Sequence, residues 1–335
     1  MDHDGSDCSC LRPPSETLER DTVSVLSPLR YPGSKRRLAS YIKRTLQMNS
    51  LSPALFVEPF AGGASVALQL LSENCVQYIG LVDRDPLIAA FWKTVFWEPE
   101  WLIEQIYTID VTLERWMMFK SSVPQTRRER ALACLFLNRT SFSGILAPGV
   151  GPLGGRNQSS PYRIDCRFPR ETLAKRIQQI GQMKERVAFV WNVSWTQALG
   201  QLRSLQRRGK LPQDVACYCD PPFFNKADQL YTYYFREKDH CRLRDALLAL
   251  QEPWILSYDS VARVKELYGA TEHESAQVEL LYSMASQGGH RIAREVIVSN
   301  LPYLPDATRL WRRSHEWRKS PSSGAEIKSC DMTDI

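Results

Sequence analysis

Leu55-Phe56-Val57-Glu58-Pro59-Phe60-Ala61-Gly62-Gly63-Ala64-Ser65, continuing into Val66-Ala-Leu-Gln-Leu-Leu71, opens on a β-favouring run and ends in an apolar helix. Between them lies a turn built on Pro59 and two glycines. Strand, glycine turn and helix in that order make the first unit of a nucleotide-binding α/β sheet. Glycine lets the backbone approach a ligand closely and removes a Cβ clash from the turn. The spacing is not G-x-G-x-x-G, so a dinucleotide is not specifically indicated. A second strand, Tyr78-Ile-Gly-Leu-Val82, ends at Asp83, about twenty residues after the turn, where an acid accepts hydrogen bonds from ribose hydroxyls. Asp85-Pro86 then starts a helix that runs to Phe96, with Asp85 as its cap. Glycine turn and spaced acid together point to a nucleoside-bearing cofactor.

On the N-terminal side, residues 1–27 are rich in Asp, Ser, Pro and Arg without an apolar period, and read as a mobile tail. Arg30-Tyr31-Pro32-Gly33-Ser34-Lys35-Arg36-Arg37 is a turn into a helix, with Ser34 a candidate N-cap and Leu38, Tyr41, Ile42, Thr45 and Leu46 on one face. Three successive cations at a helix N-terminus oppose its dipole and call for an anionic neighbour, Lys35 above all. No glycine stands five residues before Gly33, which excludes a Walker phosphate loop.

Beyond Phe96 the pattern changes. Helical stretches Trp101–Phe119 and Arg127–Asn138 lead into Asn138-Arg139-Thr140-Ser141-Phe142-Ser143-Gly144 and a glycine-rich segment ending at Gly154-Gly155. Arg156, Asn157, Gln158, Tyr162, Arg163, Arg167 and Arg170 follow. A long irregular segment inside a compact domain has a function, and Arg, Asn and Gln read base edges and phosphates. A solvated linker is the alternative, but Phe142, Tyr162 and Phe168 make the segment too aromatic for that.

The α/β pattern resumes with a helix over 171–183, strand Val187–Val190 and a helix over 195–206. Then comes Val215-Ala-Cys-Tyr-Cys219-Asp220-Pro221-Pro222-Phe223-Phe224. Two prolines forbid further pairing, so the chain leaves the sheet stiffly at Asp220, at the strand end where open α/β sheets bind ligands. A carboxylate and a backbone carbonyl can both accept from an amino group, while Phe223 offers a stacking face. The trio suits the exocyclic amine of a nucleobase turned out of its helix. The polar, aromatic run 225–234 is a candidate lid. A helix over 236–250 and strand Trp254–Asp259 follow, and Val278–Met284 with Arg294–Asn300 form a hairpin through Gln287-Gly-Gly-His290.

The totals fit this reading. The 335 residues are 43% hydrophobic, as in a globular protein, and the formal charge of +6 permits a polyanionic partner without requiring one. Nine scattered cysteines, an acidic N-terminus and the lack of an apolar run of membrane-spanning length point to a reducing, cytoplasmic location and no membrane. Cys8-Ser-Cys10 and Cys217-Tyr-Cys219 lack the spacing of zinc pairs, so no metal is expected, and the second pair reads as core on one strand face.

Five segments and the order in which they come resemble the Dam-like, alpha-group DNA adenine methyltransferases over about Leu29 to Pro302. They are Arg30–Lys35, Phe56–Gly63 with Val82-Asp83, Leu137–Gly144, Asp220–Phe223 and Glu295-Val-Ile-Val-Ser-Asn300. The resemblance implies the class I S-adenosylmethionine-dependent methyltransferase fold, an α/β mixed seven-stranded sheet with helices on both faces. Residues 28–96 and 186–303 would form the catalytic domain and 97–185 an inserted, mainly helical recognition region, with tails at 1–27 and 304–335. It implies S-adenosyl-L-methionine contacts at Tyr31, Lys35, Asp83 and Asp220, with Glu58, Phe60 and Gly62 nearby. Asp220, Pro221, Pro222 and Phe223 would carry catalysis, and Asn138, Arg139, Ser143, Arg156 and Asn157 would contact double-stranded DNA. A restriction-modification or phage modification setting goes with this, a cognate endonuclease acting separately; oligomeric state is not indicated.

Two positions depart from the pattern. Ala64 stands where many relatives have a second spaced glycine, and Phe223 where Tyr is commoner, which keeps stacking and drops a hydroxyl. No Pro-Cys pair exists, which sets aside cytosine-5 transfer. Amine transfer to cytosine goes with Ser in place of Asp220, and a related RNA or protein-amide reaction with Asn there. A catalytically silent DNA-binding regulator of the same fold is the rival from a different class.

Overall fold

The computed structural model describes residues 25–30, 35–224, 232–269, 273–283, 290–306 and 309–310. Tyr31, Ser34, the segments 225–231 and 284–289 and nearly all of both tails lie outside these residues. The three strands expected first, β1 (Leu55–Glu58), β2 (Tyr78–Val82) and β3 (Val187–Trp191), pair in parallel, with β1 also parallel to β4 (Val215–Cys219). β5 (Trp254–Asp259) extends the parallel set. β6 (Glu274–Ser283) and β7 (His290–Ser299) close it as an antiparallel pair, longer at their N-terminal ends than the sequence suggests. The seven-stranded order is β3-β2-β1-β4-β5-β7-β6. It reverses direction of progression between β1 and β4, so the crevice beyond their carboxyl ends is the ligand site of an open α/β sheet.

Alternation along the strands sorts the apolar side chains onto two faces. Phe56, Ile79, Leu81, Ala216, Tyr218 and Ile255 face α1 (Arg36–Met48), α2 (Ser65–Ser72) and α3 (Pro86–Trp97). Leu55, Val57, Cys217, Cys219, Trp254 and Leu256 face the opposite way, so Cys217 and Cys219 are core on one strand face, as their spacing implies. The stretch 101–119 is two helices, α4 (Pro99–Thr108) and α5 (Leu113–Ser121), not one. Extended backbone at Ile109 and Thr112 breaks the run, and the Thr112 hydroxyl accepts from the Arg115 N–H to start the second. α6 (Arg127–Thr140) begins in a Thr126–Glu129 capping box, and it packs with α7 (Arg170–Gly181) against α3. Leu102, Ile106, Leu135, Phe136, Leu173 and Ile177 therefore belong to the same core as the sheet.

The second face is covered by α8 (Trp195–Arg207), α9 (Glu237–Leu248) and α10 (Ala262–Tyr268). Among the described residues no helix is long and apolar enough to cross a membrane.

Candidate active site

The glycine turn after β1 is held from three sides. Gly62 takes φ 45°; its N–H donates to Asp83 Oδ2 at 2.9 Å, and its carbonyl accepts from Trp92 Nε1 at 2.8 Å. Glu58, at the end of β1, accepts the Ala67 N–H at 2.6 Å and so caps one of the open donors in the first turn of α2. Asp83 also accepts the Asp85 N–H at 2.8 Å, and Asp85 caps α3 at Leu87 as the sequence suggests. Burial pushes the Glu58 carboxyl up to about 8, against the Ala67 hydrogen bond and with the charge of Asp220 adding to it. Burial and the neighbouring Asp85 raise Asp83 to about 7.

β4 brings Asp220 alongside this turn. Ser257, on β5, donates to Asp220 Oδ1 at 2.9 Å and itself lies 2.8 Å from the Tyr218 hydroxyl. Lys35 Nζ stands 3.2 Å from the same Oδ1 and 5.3 Å from the centre of the Phe223 ring. Among the described residues both contacts fall on Oδ1, while the side chain keeps 27% of its surface open where it lines the cavity. Desolvation raises the Asp220 carboxyl to about 6 against the pull of Lys35. The turn beyond it is fixed at its far end. The Phe224 N–H donates to Asp259 at 2.9 Å, and its ring stacks on His240 with centroids 4.2 Å apart. His240 Nδ1 lies 2.7 Å from the Tyr258 hydroxyl, and burial lowers the affinity of that imidazole for a proton.

One cavity of about 260 Å³ is lined by Lys35, Glu58, Phe60, Gly62, Asp83, Asp220 and Pro222. Seven expected site residues, drawn from four separated stretches of chain, thus share one space. Pro221 is buried and Phe223 half-buried beside them; Tyr31 lies outside the described residues. Gly144–Leu146, Ser194–Thr196 and Thr232–Phe235 complete the wall. The donor set is that of a nucleoside site: backbone at a tight glycine turn, a strand-end acid, and aromatic rings at Phe60 and Trp195.

The expected nucleic-acid contacts divide. Arg156 and Asn157 are exposed and Ser143 is half-exposed with φ 55°, all on the segment after α6. Asn138 and Arg139 require correction. Asn138 is fully buried; its side chain accepts the Arg30 N–H at 2.7 Å and donates to the Arg30 and Gly144 carbonyls. Arg139, 6% exposed, donates to the Pro28 carbonyl at 3.3 Å. Both residues tie the strand of chain entering Lys35 to the end of α6; the helix turns them inward, so neither presents a surface to a duplex.

Two residues were not foreseen from the sequence as site residues. Glu295, 2% exposed on β7, lies 2.6 Å from Lys35 Nζ. Ser257 sits in the apolar strand β5. For Ser257 the signal available is a small polar residue following the apolar run Trp254–Leu256; β7 carries His290, Arg291 and Arg294 as well, so nothing in its pattern sets Glu295 apart.

The family model described as D12 class N6 adenine-specific DNA methyltransferase matches residues 31–284. No curated protein matches the chain. Among solved structures, precorrin 8W decarboxylase of Methanobacterium thermoautotrophicum is similar at 10% identity, over 77% of this chain and 88% of that one, with a TM-score of 0.27.

Proposed function

The chain belongs to the D12 class N6 adenine-specific DNA methyltransferases, and from that premise we propose that Asp220 is the acceptor that aims the adenine amine in its reaction. The enzyme transfers a methyl group from S-adenosyl-L-methionine to adenine in DNA, on the class I α/β fold. The donor supplies a methyl group made electrophilic by a positively charged sulfur. The amine is the weak partner, because its lone pair is delocalised into the ring. Asp220, through the Oδ2 that its described neighbours leave alone, and the Pro221 carbonyl take hydrogen bonds from the amine and turn that lone pair toward the methyl carbon. The carboxylate also stabilises the charge that appears on nitrogen. Phe223, packed by Lys35, replaces the stacking lost when the base leaves the duplex, about 1–3 kcal/mol. Gly62, Asp83, Glu58, Phe60 and Lys35 hold the donor, with Tyr31 from the same N-terminal motif.

The observation that carries this reading is that Asp220 and the Gly62–Asp83 turn line one cavity at the point where the strand order reverses. Residues 97–185 act as the recognition region, with Arg156, Asn157 and Ser143 on the duplex, and the protein works in the cytoplasm as a site-specific modification enzyme. Nucleoside analysis of duplex DNA incubated with the enzyme and donor tests the reaction: N6-methyladenine is expected. N4-methylcytosine as the product contradicts the assignment, and so does binding of donor and DNA without transfer. Modification-aware sequencing of DNA from expressing cells reads the site, and protection of that DNA from an endonuclease tests the modification role.

A further inference from the structure

Lys35 is shared by two carboxylates, the buried Glu295 and the half-buried Asp220, and it is not shared equally: its Nζ lies 2.6 Å from Glu295 Oε1 and 3.2 Å from Asp220 Oδ1. Antiparallel pairing of β5 with β7 puts Glu295 opposite Asp259, one strand beyond the one that carries Ser257. The group is thus assembled from α1's N-terminal end, β4, β5 and β7, and one cation serves two acids inside the protein. A second acid is costly there unless it changes what the first one does, since desolvating an ion takes several kcal/mol. Without Glu295, more of the Lys35 charge would fall on Asp220, weakening the carboxylate that has to accept the amine.

We propose that Glu295 is a positioning residue of the transfer reaction: by drawing Lys35 toward itself, it leaves Asp220 the stronger acceptor for the adenine amine and for the proton that the amine gives up. In that step the carbon–sulfur bond breaks as the carbon–nitrogen bond forms, and the sulfur keeps the bonding pair. The nitrogen, now positive, loses one proton to Asp220, which returns it to solvent through the cavity. The groups that face Asp220 are consistent with this division. Lys35 lowers its proton affinity and Ser257 does so by hydrogen bonding, whereas Glu295 raises it. Glu58, from β1, and Tyr218, from β4, each feel the Asp220 charge in turn.

The inference rests on the reading of Asp220 given above, and its test is built to fail separately. Glu295→Gln keeps the shape and removes the charge. We expect donor affinity, measured by titration, to stay within about twofold and kcat to fall about tenfold or more, the size of one charge-assisted contact. The acid limb of the kcat profile should move to lower pH, because Lys35 then rests on Asp220. Glu295→Asp should recover part of both. The ligand-free protein gives an independent readout. With ¹³C-labelled aspartate carboxyls, and Asp220→Asn to assign the signal, the Asp220 midpoint should drop in Glu295→Gln. A loss of kcat with the pH limb and the Asp220 midpoint both unmoved would reduce Glu295 to a structural role and overturn the proposal, as would unchanged kcat. If wild-type enzyme transfers nothing to adenine, the functional reading fails, and the midpoint shift still decides whether Glu295 governs Asp220.

Discussion

At Ala64 the backbone takes φ 47°, ψ 30°, a left-handed conformation that strains a residue with a Cβ by roughly 1 kcal/mol. The strain sits between the glycine turn and the first residue of α2. Ala64→Gly should therefore stabilise the ligand-free protein by about 1 kcal/mol, as read from urea unfolding, and a loss of stability would contradict the strain. Glu58 and Asp83 make a second prediction at this scale. Both carboxyls are raised by burial, to about 8 and about 7, so between the ordinary carboxylate range and those values the folded chain holds protons that the unfolded chain has released. The stability they contribute is whole below about pH 4 and is lost as pH rises through 7 and 8. We expect the Tm of the ligand-free protein to fall between about pH 5 and pH 8 and to level off above that, and Glu58→Gln to flatten the fall. A rising Tm, or the same slope in the variant, would show that Glu58 is not the group. Asp220, Lys35, Asp83 and the Gly62 turn were legible as residues because each sits at a strand end or helix start marked by Pro or Gly. Glu295 and Ser257 were not, because only the β4–β5 register brings Ser257 to Asp220 and only the β5–β7 pairing places Glu295 beside Lys35.

The elements show which local signals sufficed. Capping boxes at Thr126 and Ser194 and the Asp85-Pro86 start mark three helices whose limits the sequence reading places within a few residues. α10 carries no such signal, because it is short and Val261, at its cap, supplies no side-chain acceptor. The run 101–119 breaks in two where Thr112 caps the second helix. At Asn138 and Arg139 residue type points to a polar reader, whereas the helix phase turns them inward onto Arg30 and Pro28. That contact yields a prediction. Gly144 has φ 74°, and a Cβ there would stand 2.0 Å from the Arg30 carbonyl oxygen, which is backbone and cannot swing aside. Gly144→Ala should displace the 28–30 segment, lower stability by about 2 kcal/mol or more and weaken donor binding through Lys35. Wild-type stability and donor affinity in that variant would mean the segment is not held as described.

Across the whole molecule, the +6 charge and the exposed Arg156 and Asn157 support our proposal that DNA meets the segment after α6, away from the buried pair. Arg156→Ala should leave Tm unchanged, weaken duplex binding and lower the salt dependence of affinity by about one ion if it meets a phosphate. Arg139→Ala should instead lose stability, because it removes a buried side chain that holds Pro28. Affinity unchanged in the first variant, or stability unchanged in the second, would reverse the two assignments. All of this serves one arrangement, a carboxylate held at the reversal of strand order with the glycine turn across the cavity. The most direct measurement of it is single-turnover methyl transfer to an adenine-containing duplex by Asp220→Ala, with DNA and donor affinities measured on the same protein. We expect transfer to fall by at least on the order of 10²–10³-fold with DNA affinity largely intact. Transfer at the wild-type rate would contradict the assignment of Asp220.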